Sequence, residues 1–300
     1  MEPVENIAAD VPTEIRGRMM LDFAELVKAR LTFLSLVTTA VGFYLGAADP
    51  VEVIALFHAV FGTALAAAGA AALNQWWERR LDALMHRTRT RPIPAGRMLP
   101  RDALLLGGTL SFSGVIYLAV ACNALSAALA AATIAIYLFG YTPLKRISTT
   151  NTLVGAVAGA LPPMIGWAAA RGSVEAHAWS LFAIMFCWQM PHFFAIAWMY
   201  REDYERAGFR MLPSRDSSGA RTARQSVLFA ALLLAASSLP ALLGVVSRTL
   251  LPMELLVGAA FLAFAVAFYV KRDVADARRL FFASIIYLPV LLALLVATKT

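Results

Sequence analysis

Two cysteines and four histidines are all that the 300 residues supply. That scarcity excludes a disulfide-stapled scaffold and leaves no Cys/His spacing for a zinc site. Cys122 and Cys187 fall in apolar runs without ligand-like neighbours, so neither a disulfide nor a thiolate metal site is expected. Charge is scarce too: 15% of residues are charged and 60% hydrophobic, against roughly 25% and about 45–50% in soluble domains. No glycine-rich phosphate loop and no Ser-His-Asp set occurs. No cleavable leader pattern is present, and Glu2, Glu5, Asp10 and Glu14 make the N-terminal tail too acidic for a mitochondrial transit peptide. A prokaryotic plasma (inner) membrane is the expected location.

What remains is long apolar runs. A helix needs about 20 apolar residues to cross a bilayer core. Nine runs qualify: 26–47, 52–77, 102–123, 125–143, 152–170, 178–200, 225–246, 252–270 and 280–297. The expected fold is all-α, a polytopic membrane helical bundle, with residues 1–25 as a cytoplasmic tail and 26–300 as a single transmembrane domain. With the N-terminus in the cytoplasm, only Arg171, Arg248 and Lys299 of the 26 lysines and arginines fall outside, leaving 23 inside. Such a bias obeys the positive-inside rule. It also requires an odd number of spans, which puts the C-terminus on the outer side. The net charge of +7 therefore reports topology and does not imply nucleic acid.

The charged residues concentrate in two inner segments. The first begins Asn74-Gln-Trp-Trp-Glu78-Arg-Arg-Leu-Asp82 and runs to Arg91-Pro-Ile-Pro-Ala-Gly-Arg97. Each step of four turns a helix by about 400°, so Asn74, Glu78 and Asp82 share one face within about 80°. Three oxygen donors in a row suit Mg²⁺, and the arginines that follow suit phosphate. Such a pairing at a membrane surface points to a lipid diphosphate. Carboxylates repel a diphosphate but hold the Mg²⁺ that bridges its oxygens. Asn74, Glu78 and Asp82 are the first ligand set, Glu202 and Asp203 the second, and Lys145 with the arginines reaches the non-bridging oxygens. The second segment, 201–224, lies four spans after the first, which suggests two similar halves facing each other across a central cavity open to the cytoplasmic side. Pro92, Pro94 and Gly96, like Gly208 and Pro213, favour compact loops. Trp76, Trp77, Phe193, Phe194 and Trp198 are placed to shield an allylic cation.

Blander readings stand beside these. Any one acid or arginine beyond a span is ordinarily a solvated residue that sets topology. Asn74 suits an interhelical hydrogen bond, and Lys145 a snorkelling anchor beyond a span that Pro143 is expected to end. Gly155 and Gly159 read as close helix packing, with a break in span 5 at Pro162-Pro163. His192, beside Gln189 and Pro191 inside span 6, is open to three readings: an iron ligand, a proton carrier, or a hydrogen bond to a neighbouring helix.

The segments Asn74–Arg97, Tyr141–Arg146, Asn151–Trp167 and Trp188–Pro213, with Lys28-Ala-Arg30-Leu-Thr32, resemble the UbiA-type intramembrane prenyltransferases. Within them they are most similar to the branch that farnesylates protoheme. The resemblance implies transfer of farnesyl from farnesyl diphosphate to a vinyl group of heme B, with addition of water. Heme O and diphosphate are the implied products, on the route to heme A and the cytochrome oxidase cofactor. Implied partners are the lipid bilayer and a downstream heme-modifying enzyme or oxidase assembly machinery. The resemblance also implies that Asn74, Glu78 and Asp82 form the first Mg²⁺–diphosphate motif and that Lys145 binds diphosphate. Expected substrate contacts are Arg30, Arg87, Arg91, Arg97, Tyr141, Arg146, Asn151, His192, Tyr200, Tyr204, Arg206 and Arg210. Arg206, Arg210 and Arg215 are candidates for the heme propionates. Quinone-type relatives carry Asp-x₃-Asp in the second segment; here Tyr200 and Tyr204 occupy those positions, with Glu202 and Asp203 between. That departure disfavours a quinone- or chlorophyll-type acceptor. Acids at one membrane face, not the midplane, disfavour a transporter, and aligned oxygen ligands disfavour a purely structural assembly factor.

Overall fold

The computed structural model describes residues 13–300, with side chains from residue 18 onward. Most of the acidic tail (Glu2, Glu5 and Asp10) therefore lies outside the described residues. Among the described residues, nine helical stretches are long and apolar enough to cross a membrane. A short helix α1 (Thr13–Leu26) precedes them. The spans are α2 (Ala29–Gly46), α3 (Val53–Asp82) and α4 (Pro100–Ala121), then a composite of α5 (Ala124–Ala135), a π turn (Ile136–Tyr141) and α6 (Thr142–Ile147). Next come a broken span, α7 (Asn151–Ala160) with α8 (Pro162–Arg171), and α9 (Ala176–Met199). After the surface helix α10 (Arg201–Arg206) follow α11 (Ala220–Ser237) with its short extension α12 (Leu239–Leu242), α13 (Leu251–Lys271) and α14 (Val274–Ala297). Phe112, Val120, Phe139 and Ile286 point outward, as the lipid-facing side of a spanning helix must.

Successive spans pack on one another all the way round, and α14 returns to touch α2, closing a ring. The broken fifth span departs from the ring. Its second half, α8, packs on α2, α3 and α5 and fills the end remote from the charged loops. Contact is backbone to backbone there. A Cβ on Gly42 meets the Pro163 carbonyl oxygen, and one on Gly166 meets the carbonyl oxygen of Thr39. Small residues permit that approach, which replaces the hydrophobic drive that lipid cannot supply. Trp167, Met164 and Leu45 lead from this wedge into a core shared with α9, α11, α13 and α14.

Two boundaries differ from the sequence expectation for physical reasons. α3 continues through 30 residues to Asp82 and not to 77, because its charged end is buried and paired. The fourth span does not stop at Pro143. The π turn immediately before it rearranges the hydrogen bonding around a residue with no N–H to give, and α6 carries on to Ile147. α9 runs through Pro191, as the expected span 178–200 does. The break at Pro162 lies where it was expected.

Gly166→Leu is expected to lower stability by about 2 kcal/mol or more, read as a fall in the thermal unfolding midpoint of the detergent-purified protein. Gly108→Ala, where nothing lies within 4 Å of the added carbon, is expected to change it little.

Candidate functional site

The last two turns of α3 turn Asn74, Glu78 and Asp82 inward, with exposures of 0, 4 and 1%. Burying carboxylates costs several kcal/mol apiece unless cations meet them, and each of the three meets a cation from a different element. Lys28, just ahead of α2, donates to Asn74 Oδ1 at 2.7 Å. Lys145 in α6 donates to both carboxylate oxygens of Glu78, at 2.7 and 2.9 Å. Arg91, from the α3–α4 loop, donates to Asp82 Oδ2 at 2.7 Å. Asp82 Oδ1 is buried and has no partner.

The π turn builds the facing wall. It leaves Tyr137, Tyr141 and Lys145 four residues apart and on one side. The two tyrosine rings stack at 5.7 Å, and the Lys145 ammonium lies 4.4 Å from the Tyr141 ring centre. The Tyr137 hydroxyl donates to Asn74 Oδ1 at 3.2 Å and accepts from Lys28. Asn74 Nδ2 donates to the Thr142 hydroxyl at 3.0 Å. Gly155 is required beneath this wall, since a Cβ there lies 2.8 Å from the Tyr141 ring. Lys28 lies outside the span that begins at Ala29. Burial first, then the charges of Arg91 and Lys145, push its ammonium down to about 7.

The second charged segment folds over the first. Asp203 on α10 accepts from the Arg87 backbone N–H at 3.3 Å and from Arg206 at 2.8 Å. The Arg87 guanidinium donates to the Tyr204 hydroxyl at 3.1 Å and lies over the rings of Tyr200 and Tyr204. Met85 packs with Phe209 and Met211, joining the two loops through an apolar contact. Arg210 N–H donates to the Lys145 carbonyl at 2.6 Å, and buried Asn151 donates to the Arg210 carbonyl at 3.0 Å. Both loops are compact, as the prolines and glycines indicated.

Several expected contacts have other placements. Arg97 is committed to Asp22 at 2.8 Å and Glu25 at 3.1 Å, and holds α1 against the bundle. Arg30 and Arg146 are exposed. Glu202 is exposed as well; neighbours on a helix diverge by about 100°, and on α10 it is Asp203 that turns toward Arg87. Trp77 is 43% exposed and pairs edge-on with Phe139, while Trp76 packs under Arg79. Two residues along from Asn74 is a turn of about 200°, so Trp76 points away from the acids. Gln189 is a packing residue: it donates to the Met185 and Ala156 carbonyls and leaves room only for glycine at 159. His192 bonds Ser284 at 2.7 Å across the α9–α14 contact. Sequence reasoning missed Lys28, Tyr137 and Thr142 as site residues; the Tyr137-Tyr141-Lys145 spacing was the available signal.

No three His, Cys, Asp or Glu side chains cluster closely enough to hold a metal among the described residues. Two carboxylates, one of them with the orphaned buried Oδ1, and one amide oxygen form a partial oxygen set. Mg²⁺ fits such a set, because it keeps several waters and takes the rest of its ligands from substrate phosphates.

Residues 35–286 match the UbiA prenyltransferase family. The chain belongs to that family. It is 44% identical over 289 residues to the protoheme IX farnesyltransferase of Solibacter usitatus, covering 93% of this chain and 99% of that protein. Identity to the enzyme of the same name from Opitutus terrae is 47% over 280 residues, 93% of this chain and 94% of the relative. Among solved structures, a digeranylgeranylglyceryl phosphate synthase superposes with a TM-score of 0.78 at 13% identity, over 93% of this chain and 98% of its own. A UbiA homologue from Archaeoglobus fulgidus bound to GPP and Mg²⁺ gives 0.63 at 13% identity, over 91% and 99%.

Arg91→Met strands the Asp82 carboxylate. The expected loss is about 2 kcal/mol, below the 3–5 kcal/mol of a fully buried pair because Arg91 stays partly wet. The double variant Asp82→Asn/Arg91→Met is expected to regain most of it in the same unfolding measurement.

Proposed function

We propose that this membrane prenyltransferase moves farnesyl from farnesyl diphosphate to a vinyl group of heme B, with water added, giving heme O and diphosphate. The observation that carries the reading is the inward face of Asn74, Glu78 and Asp82 with its orphaned carboxylate oxygen. The acceptor reading is supported by relatives at 44 and 47% identity named protoheme IX farnesyltransferase. The diphosphate reading is supported by the family relative bound to GPP and Mg²⁺.

Asn74, Glu78 and Asp82 are the residues that hold Mg²⁺, with Asp203 the candidate in the second loop. The metal would supply positive charge there to offset that of the departing diphosphate. Lys145 and Arg91 already lie against the two carboxylates and Lys28 against the Asn74 amide oxygen, so small rotations carry them onto phosphate oxygens. The C1–O bond of the diphosphate breaks with both electrons leaving on oxygen. Tyr137 and Tyr141 present ring faces to the allylic cation and keep water from it. The cation bonds to one vinyl carbon, water oxygen bonds to the next, and a proton is lost to solvent. Arg87, Tyr200 and Tyr204 close the site from the second loop, and Arg206 and Arg210 stand where propionates reach the surface. With tyrosines at the quinone-type aspartate positions, no base is provided for an aromatic acceptor, and a vinyl group needs none.

The charged face is cytoplasmic in this reading, and the C-terminus lies outside a prokaryotic inner membrane, by the positive-inside bias. Residues 26–300 act as one transmembrane domain. Heme O leaves toward a heme-modifying enzyme or the oxidase assembly machinery.

Purified protein given heme B, farnesyl diphosphate and Mg²⁺ is expected to raise the heme mass by farnesyl plus water, and a chelator is expected to stop it. Prenylation of a hydroxybenzoate in place of heme overturns the acceptor; no product with any acceptor overturns the reading. Lys145→Ala is expected to raise the KM for farnesyl diphosphate about 10-fold or more, the worth of roughly one charge-assisted contact, with little change in the KM for heme. Equal shifts in the two would count against a phosphate contact.

A further inference from the structure

α1 is amphipathic along the part whose side chains are described. Arg18, Asp22 and Glu25 follow at intervals of four and three, which sets them within about 60° of one another on the helix. Asp22 and Glu25 of that stripe take the Arg97 guanidinium. Met19, Met20, Leu21 and Phe23 spread over roughly 200° of the remaining circumference. All four are exposed, by 43 to 72%. Four large apolar side chains beside one polar stripe make a surface that water solvates poorly.

The last residue of α1 fixes its height. Leu26 is fully buried among Ala72 and Trp76 of α3, Ile93 and Met98 of the following loop, and Ala103 and Leu106 of α4. α4 begins at Pro100, so Ala103 and Leu106 lie about 5 and 9 Å along it. An interfacial helix buries its apolar face to that depth, about 5–10 Å. Leu31 and Phe33, in the first turns of α2, are exposed apolar residues as well. The chain thus passes from one exposed apolar stretch to the lipid-facing surface of the first span.

The same end of α1 is tied to the site. Gln75, fully buried and next to Asn74, donates to the Glu25 and Leu26 carbonyls at 2.7 and 2.9 Å, which satisfies the last turn of α1. Lys28 then turns the chain into α2 with a φ of 49°, a left-handed conformation uncommon for lysine, and reaches Asn74 Oδ1. A residue keeps such a conformation only while the chain on both sides of it is held. α2 holds one side of Lys28 and α1 the other.

We propose that α1 is seated by its apolar arc in the bilayer surface at the charged face, and that this seat positions Lys28 against Asn74. The role of Lys28 toward diphosphate rests on the function proposed above; the seat does not.

The test uses the full-length protein in vesicles of phosphatidylethanolamine and phosphatidylglycerol. A spin label on Met20→Cys, with wild type labelled in parallel as the background from Cys122 and Cys187, is expected to meet dissolved oxygen and to be shielded from a water-soluble nickel complex. Ready access of the nickel complex overturns the seat. Shielding from both reagents places a protein on this face, a second copy included, and overturns lipid as its occupant. In Met19→Gln/Met20→Gln/Leu21→Gln/Phe23→Gln, amide hydrogen exchange across residues 26–32 is expected to rise several-fold while α9 exchanges as in wild type. Mg²⁺-dependent binding of farnesyl diphosphate is expected to weaken about 10-fold, the worth of roughly one charge-assisted contact. The apolar variant Met19→Leu/Met20→Leu/Phe23→Leu is expected to keep both at wild-type values. Where the four-fold variant does not fold, Met20→Gln/Leu21→Gln, at the two most exposed positions, carries the same expectation. Unchanged exchange at 26–32 in the glutamine variants overturns the positioning of Lys28. Exchange that rises as expected in a protein whose wild type binds no farnesyl diphosphate supports the seat and overturns the diphosphate reading instead.

Discussion

Two carboxylates buried at the end of an apolar helix are the constraint around which this molecule is arranged. Glu78 and Asp82 sit where neither water nor lipid solvates an anion, and removing either matched cation leaves an uncompensated charge. The cations come from three separate segments: Lys145 from the fourth span, Arg91 from the α3–α4 loop, and Lys28, by way of Asn74, from the entry to α2. Each pairing therefore ties a distant piece of chain to α3. The charge network organises the fold at this face, whereas bare Gly-to-backbone contacts organise it at the other. In the proposed reaction a diphosphate with its metal would take over these internal pairings, because the site is a set of ions already at binding distance of one another.

The irregular backbone serves the same end. Helices in lipid keep their hydrogen bonds internal, and departures are tolerated only where protein surrounds them. The π turn at Ile136–Tyr141 and the break at Leu161 both face inward neighbours. The first aligns two tyrosines and a lysine on one stripe. The second lets α8 leave the ring and fill its far end, which leaves the charged end as the place for a polar substrate.

Legibility in the sequence followed periodicity. The spans were readable because each needs a long apolar run, and Asn74, Glu78 and Asp82 because their spacing matches a helical repeat. Arginine roles were not readable, since a guanidinium has the same charge whether it binds phosphate or holds an N-terminal helix. Arg97 illustrates this: its partners Asp22 and Glu25 lie in a segment whose composition reads as a tail. Two of the aromatics expected to shield, Trp76 and Trp77, lie elsewhere for a geometric reason. Trp76 and Trp77 are adjacent to the acids in sequence but lie off their face, while Tyr137 is 63 residues from Asn74 and bonds to it.

The two charged loops are related in position but not in chemistry. The first supplies two buried carboxylates and an amide; the second offers one half-buried aspartate already shared between Arg87 and Arg206. An Asp203 so committed is a weaker metal ligand than Asp82, whose Oδ1 is unclaimed. Its other consequence is mechanical. Arg87 bridges the loops by bonding Tyr204 and leaving its own N–H to Asp203, so any anion that draws Arg87 inward also moves α10. In the proposed reaction, phosphate binding at the first loop would be transmitted to the second through this one residue. Tyrosines at 200 and 204 suit that task, since they hold a guanidinium by ring face and hydroxyl and release it at far less cost than a carboxylate.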